Sequence, residues 1–149
     1  MIYTSYFWNL KKLQGIAPNM VFVSIAGKTP TWFEEDKIGF KYQKLMPRYG
    51  WRSQWHEMFK ENYESEESIK WYTRAYRETV LSKLNPHEVK CELYDIASRR
   101  NVCLLCYETP EKFCHRHLVS KWLRDANIMA GEYVRKEDIK QVFCNVEEL

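Results

Sequence analysis

The chain has 149 residues, a length typical of a single domain. Its composition of 45% hydrophobic and 29% charged residues excludes a disordered or fibrous protein, and five glycines and five prolines are few for a turn-rich all-β protein. The net charge of +3 is too small for a dedicated duplex binder, although it does not oppose a phosphate ligand or nucleic acid.

Cysteine usage and the N-terminal sequence indicate a cytoplasmic protein with reduced thiols. There are five cysteines, an odd number, so at least one is unpaired within the chain. The segment MIYTSYFWNL has the pattern of a strand and not of a secretion signal, and no apolar run approaches the roughly 18 residues that span a membrane. We therefore expect no membrane partner, and thiols that are structural, metal-binding or catalytic.

The first half of the chain predicts two strands and a long loop. Residues 2–8 form an apolar and aromatic run typical of a strand, and residues 9–14 a brief helix. Residues 20–26 are almost continuously apolar, which predicts a strand buried on both faces. Residues 27–55 show no clean period and contain scattered Pro and Gly, so we predict a loop with short helical pieces, of the length that is usually functional.

The second half predicts alternating helices and strands. Residues 66–84 are helical by composition, and Asn85, Pro86 and Glu88 form the start signal of a further helix. Residues 102–107 have the length of a buried strand, and Thr109 begins the signal of a helix running to about residue 126. A final strand is expected at 128–134 and a terminal helix or tail within 135–149, at about 137–143.

This order predicts a single α/β domain over residues 1–149, a Rossmann-like sandwich with a mostly parallel sheet flanked by helices. Ligands of such sheets bind outside the carboxyl ends of the strands. The rule directs attention to the segment that follows Tyr107.

The densest group of reactive side chains is the segment CYETPEKFCHRH, residues 106–117. Zinc ligands are offered by Cys103, Cys106, Cys114, His115 and His117. Geometry opposes one shared ion, because residues three apart on a strand face opposite sides and the two histidines fall on opposite faces of a helix. We therefore predict no metal and no cofactor, with a Cys/His metal site left open as an alternative.

The same segment fits a pocket without metal. Cys106 and Glu108 would lie at the end of a strand, with Cys114, His115 and Arg116 in the first turns of the next helix. Backbone N–H groups at a helix start and a neighbouring cation both lower the pKa of a thiol. We predict Cys106 or Cys114 as a nucleophile, His115 as a base or orienting group, Glu108 as an acid/base and Arg116 as an anion clamp.

A structural interpretation stays open beside the catalytic one. His115 also fits a buried histidine bonded to a carbonyl or to Glu108, and Arg116 fits an ion pair with Glu108 or Glu111. We expect no role in chemistry for Cys91, Cys103, Cys144 and His117. The side chain of His117 is expected in solvent.

Rings alternate with cations in the long loop, a pattern that suits stacking on bases with phosphate contacts. The alternative is that these rings cover the sheet beneath Lys and Arg stems. We favour a binding rim for Tyr49, Trp51 and Arg52, and packing for Phe40 and Trp55.

LLCYETPEKFCHRHLVSKWL, residues 104–123, resembles the signature of the domain-of-unknown-function family 488. The resemblance continues through YTSYF, VSIAGKTPTWF, YQKLMPRY and LNPHEVKCELY, and covers about residues 2–134. It implies a Rossmann-like fold and brings no established activity. Ser24 and Ala26 stand where many members carry Asp-x-Arg, and Lys28 and Trp32 are assigned to the same pocket. The ligand-binding candidates are then Arg116, Lys28, Trp32, Tyr49 and Arg52.

These patterns predict a small intracellular enzyme of this family that acts on a nucleotide, a nucleic acid or another phosphate-bearing substrate. The alternative hypotheses are a non-catalytic module that binds nucleic acid or protein, and a metal-binding Cys/His site.

Overall fold

A computed structural model describes residues 1–133. Within that range the strands are β1 Ile2–Tyr6, β2 Val21–Ser24, β3 Phe40–Lys41, β4 Val102–Cys106 and β5 Ala130–Glu132. The helices are α1 Leu10–Ile16, α2 Thr31–Glu35, α3 Tyr49–Phe59, α4 Glu66–Thr79, α5 Pro86–Ile96 and α6 His115–Asp125. None of these helices is long and apolar enough to cross a bilayer. The expected terminal helix or tail lies outside the described residues.

The five strands form one parallel sheet in the order β3-β2-β4-β1-β5, which confirms the predicted α/β class. Every residue of β2 and β4 is buried, because both strands lie inside the sheet and are covered on both faces. The two-residue strand β3 was missed in the sequence. It lies at the edge of the sheet with both side chains exposed, so no apolar pattern marks it.

Helices cover both faces of the sheet and bury two separate hydrophobic cores. Val21 and Val23 pack into the first core together with residues of α4, α5 and α6. Phe22, which points the opposite way, packs into the second core with residues of α1 and α2. Alternate side chains of a single strand therefore serve the two cores, as the two-residue period of a strand requires.

A crevice opens where the chain leaves the neighbouring strands β2 and β4. Helix α2 follows β2 and packs on the face of Phe22, whereas α6 follows β4 and packs on the face of Leu104. The two connections therefore diverge at the carboxyl edge of the sheet, the arrangement in which parallel α/β proteins bind ligands.

Two helix predictions were wrong. Residues 49–59 form helix α3 and not a loop; none of its side chains is fully buried and Gly50 lowers its helix propensity, so the sequence shows no apolar stripe. Helix α6 begins at His115 and not near Thr109. The Thr109 hydroxyl donates to the carboxylate of Glu111 at 2.7 Å and does not cap a helix. The start signal at Asn85 is confirmed, since its side-chain oxygen accepts from the backbone N–H groups of His87 and Glu88.

Candidate active site

Two buried thiols meet at the crevice. Cys106 is the last residue of β4 and is 7% exposed, and Cys114 immediately precedes α6 and is 4% exposed. Because the first N–H groups of a helix have no partners within the helix, the position of Cys114 favours a negative charge on its sulfur. The connection between the two cysteines folds back so that strand end and helix start bring both sulfurs together.

His115 holds its imidazole against both sulfurs. Its Nδ1 lies 3.7 Å from Sγ of Cys106 and 4.0 Å from Sγ of Cys114. Its Nε2 lies 2.7 Å from the carbonyl oxygen of Ile25, just after β2. Since a carbonyl oxygen only accepts hydrogen bonds, Nε2 carries a proton, and in the neutral ring Nδ1 is the atom free to accept one.

The two thiols act as one titrating pair. Burial alone would raise the pKa of Cys114, but a hydrogen bond from Cys106, the charge of Arg116 and the His115 ring together hold the pKa well below its ordinary value. The hydrogen bond to Cys114 and burial raise the pKa of Cys106 well above the ordinary value. The favoured singly deprotonated state is therefore a Cys114 thiolate that accepts a hydrogen bond from the Cys106 thiol.

Arg116 is fully buried behind the sulfurs and pairs with Glu132 of β5. Its Nε and Nη2 donate to both carboxylate oxygens at 3.0–3.3 Å, and the Thr4 hydroxyl donates to Oε2 at 2.6 Å. The expected alternatives, Glu108 and Glu111, are not its partners within residues 1–133. The guanidinium therefore contributes a fixed positive charge to the interior of the site.

His117 and Cys103 also lie in the interior. His117 was expected in solvent, and that prediction was wrong: it is 5% exposed, because the first turn of α6 is buried on all sides. Burial and the charge of Arg116 lower the pKa of His117. Cys103 is completely buried in the second core, as expected for packing, and burial raises its pKa.

A cleft of about 630 Å³ exposes one side of the thiol pair to solvent. It is lined by the connection after β2, by α3 and the segment that follows it, and by the connection from β4 to α6. Tyr107 donates a hydrogen bond to the carbonyl oxygen of Lys28 and so joins two of these walls. The volume lies in the usual range for small-molecule sites, about 300–1,000 Å³.

Six of the nine predicted site residues line this cleft: Lys28, Arg52, Cys106, Glu108, Cys114 and His115. Glu108 and Lys28 are exposed at its mouth. Arg52 packs so closely on Gly27 that a Cβ atom there would lie 1.4 Å from its Nη1.

The other three predicted residues do not line the cleft. Arg116 lies behind it. Trp32 is half-buried and packs edge-on against the rings of Phe7 and Phe33. Tyr49 begins α3 and is 83% exposed.

The sequence interpretation missed several residues of the site. Glu132 lies within the strand expected at 128–134. The carboxyl end of that strand belongs to the same sheet edge as the cleft, so Glu132 could have been proposed as a site residue. Tyr72 and Phe113 line the cleft with rings that meet edge to face at 5.1 Å. No pattern in the sequence distinguishes these two rings from other core aromatics.

Three side chains have the arrangement of metal ligands. The sulfurs of Cys106 and Cys114 and a ring nitrogen of His115 lie within 4.8 Å of one another. Among the described residues, Cys103 and His117 do not join this group, so the ligand set suggested by the sequence shortens from five to three. Two thiolates and one imidazole are compatible with zinc that keeps an open position.

Comparison with known proteins identifies the family. The model of DUF488-N3a, described as the active DUF488-N3 subclade, matches residues 26–127. The chain belongs to this family. The DUF488-N3a match spans the cleft and its thiol pair but ends before Glu132. No curated protein and no solved structure matches the chain.

Proposed function

We propose that this DUF488-N3a protein is a cysteine-dependent enzyme that acts on a nucleotide, a nucleic acid or another phosphate-bearing substrate. The observation that carries the proposal is the thiol pair beside His115 at the floor of an open cleft. Ionisable groups with opposed pKa shifts in a concave site are typical of active sites. The family description as an active subclade also supports an enzyme.

Cys114 is the nucleophile in this proposal. Its thiolate is stabilised in the resting protein, so attack on an electrophilic centre needs no prior loss of a proton. Nδ1 of His115 faces both sulfurs, within reach of a proton that the pair gives up during the reaction. Glu108, exposed at the mouth of the cleft, is placed to exchange a proton with a leaving group.

Four Lys and Arg side chains line the cleft, and Lys60 pairs with Glu57. Phosphate recognition rests on the other three cations: Lys28, Arg52 and Lys112. Across residues 1–133 none of them forms an ion pair, although three glutamates also line the cleft. Arg116 was assigned this role from the sequence, but its burial against Glu132 suits it to stabilising the thiolate instead. Arg52, half-buried on Gly27, takes the place of the anion clamp.

Binding and turnover can be tested separately. Nucleotides, inorganic phosphate and a short single-stranded oligonucleotide are titrated while Trp fluorescence is followed, since Trp55 lines the cleft. We expect salt-sensitive binding of at least one of them, retained in Cys114→Ser, together with a covalent or turnover product that Cys114→Ser abolishes. Absence of binding at low salt would refute phosphate recognition, and binding without any product would favour the non-catalytic module.

A metal site is the second candidate, because the three ligand atoms of Cys106, Cys114 and His115 are already close together. The carbonyl of Ile25 would orient the imidazole, as a hydrogen bond to the nitrogen that does not bind the ion orients metal-bound histidines. Elemental analysis of the purified protein decides between a metal site and a pair of free thiols. One equivalent of zinc, lost in Cys106→Ser, supports the metal site, and substoichiometric metal supports free thiols.

A further inference from the structure

We propose that Cys106 and Cys114 form a reversible disulfide bond, with a hydroperoxide as oxidant, that removes the nucleophile from action. The inference deepens the function proposed above and rests on it, because it takes Cys114 as the thiol that reacts first; the closeness of the two sulfurs and their access from the cleft carry it. It assigns Cys106 the role of resolving thiol, which accounts for a second buried cysteine at a site where the chemistry needs only one.

The geometry places the two sulfurs as partners of each other. They lie no more than 4.8 Å apart, and both contact the same nitrogen of His115. A disulfide needs its sulfurs about 2.05 Å apart, so one or both residues must move inward. Residues 107–113 between them form turns and bends and neither helix nor strand, so this connection can adjust without breaking regular structure.

Access selects this pair over the other described cysteines. Cys106 and Cys114 line the cleft, where a small peroxide reaches them from solvent. Cys103 lies on the same strand as Cys106 but is completely buried and does not line the cleft. Cys91 is exposed on α5, and within residues 1–133 it does not belong to the group of Cys106, Cys114 and His115. Oxidation should therefore join two particular thiols of the chain.

The oxidation of the two thiols has two steps. The Cys114 thiolate attacks the terminal oxygen of a hydroperoxide; an S–O bond forms, the O–O bond breaks, and the departing alkoxide or hydroxide takes up a proton from water in the cleft. The Cys106 thiol gives its proton to Nδ1 of His115 and attacks the sulfenic sulfur. An S–S bond forms as the S–O bond breaks, and hydroxide leaves as water with that proton. The peroxide is reduced by two electrons, and the two thiols are oxidised to one disulfide.

Trypsin makes the product easy to identify. Cleavage after Arg100, Lys112 and Arg116 separates the two cysteines into the peptides 101–112 and 113–116. After treatment of the full chain with hydrogen peroxide and blocking of free thiols, we expect these peptides joined, with a loss of two hydrogens in the intact mass. Reduction with dithiothreitol should restore the two separate peptides and the original intact mass. The joined pair should persist in Cys103→Ala, which removes the other cysteine of peptide 101–112, and disappear in Cys106→Ser.

In Cys106→Ser, we expect the sulfenic acid of Cys114 to persist long enough to react with dimedone, and then to oxidise further to the sulfinic acid. Peroxide treatment of the wild-type chain that leaves Cys114 as sulfinic acid, or that joins it to Cys103 or Cys91, would overturn the disulfide. Iodoacetamide distinguishes the two proposals: a reactive Cys114 with no disulfide refutes this inference alone, whereas an inert Cys114 refutes the nucleophile as well.

Discussion

The imidazole of His115 is fixed by the backbone of Ile25, whose carbonyl oxygen accepts from Nε2 at 2.7 Å. This hydrogen bond crosses the crevice from the first residue of α6 to the segment that follows β2. It determines the tautomer of the ring and aims Nδ1 at the two sulfurs. One backbone carbonyl therefore sets which nitrogen takes part in the proposed chemistry.

Replacing His115 by Phe keeps a ring but removes both nitrogens. The carbonyl of Ile25 then lacks a partner, which we expect to cost about 1–3 kcal/mol of unfolding free energy. The Cys114 thiolate also loses a neighbour that favours it, so its pKa should rise, and the pH of half-maximal alkylation should shift upward. Urea unfolding and a pH series of iodoacetamide labelling measure the two effects.

The control is His56→Phe, which changes an exposed histidine of the same cleft that does not contact the sulfurs. It should leave the labelling profile of Cys114 where it is. Equal shifts in the two variants would argue against a specific role for His115.

The pair of Arg116 and Glu132 makes a prediction about stability. Both side chains are almost fully buried, so Glu132→Gln leaves a guanidinium charge without its counterion. Loss of one partner of a buried pair typically costs about 3–5 kcal/mol, and we expect a loss of that size in urea unfolding. Glu66→Gln, which breaks an exposed pair with Lys70, should leave the unfolding midpoint unchanged. A midpoint for Glu132→Gln as high as that of the wild type would contradict the buried ion pair.

Gly27 and Gly50 provide a matched pair of alanine substitutions. A Cβ at Gly27 would overlap the guanidinium of Arg52, whereas at Gly50 nothing lies within 4 Å. Because the obstruction is the end of a flexible side chain, Gly27→Ala should fold and displace Arg52. We expect it to weaken nucleotide binding about as much as Arg52→Ala does, by roughly tenfold, the effect of one lost charge-assisted hydrogen bond.

Gly50→Ala should keep wild-type binding and stabilise α3 by up to about 1 kcal/mol, the difference in helix propensity. Fluorescence titration with the same nucleotide compares the variants. If Gly27→Ala binds like the wild type while Arg52→Ala does not, the contact between Gly27 and Arg52 does not position the cation.

Much of the fold could be predicted from the sequence because the inner strands carry a direct signal. β2 and β4 are buried on both faces and therefore apolar throughout, and the capping signal at Asn85 is local to a few residues. Helix α3 and strand β3 could not be predicted in this way. Their positions depend on tertiary contacts and backbone pairing, which leave no regular pattern in side-chain polarity.

The residues of the candidate site also differ in whether a local sequence signal or a tertiary contact determines their position. Cys106, Cys114 and His115 could be proposed from the sequence because the end of β4 is visible there and the dense Cys/His segment follows it directly. The partner of Arg116 was missed, since Glu132 lies 16 residues further along the chain and only the position of β5 beside β1 brings it close. Likewise, the early helix start at Thr109 was a local signal that a competing hydrogen bond to Glu111 overrides.

The pH dependence of Cys114 alkylation shows whether this sulfur is the thiolate of the site. The purified chain is labelled with iodoacetamide between pH 5 and 9, and peptide 113–116 is quantified against a model cysteine peptide with a pKa of about 8.5. A lowered pKa means that the thiolate persists as the pH falls, so the labelling rate of Cys114 should stay nearly constant from pH 9 to 7. The rate for the model peptide should drop about tenfold per unit over its lower range. A Cys114 rate that falls in parallel with the model peptide, or labelling of Cys106 before Cys114, would contradict the assignment of Cys114 as the thiolate of the site.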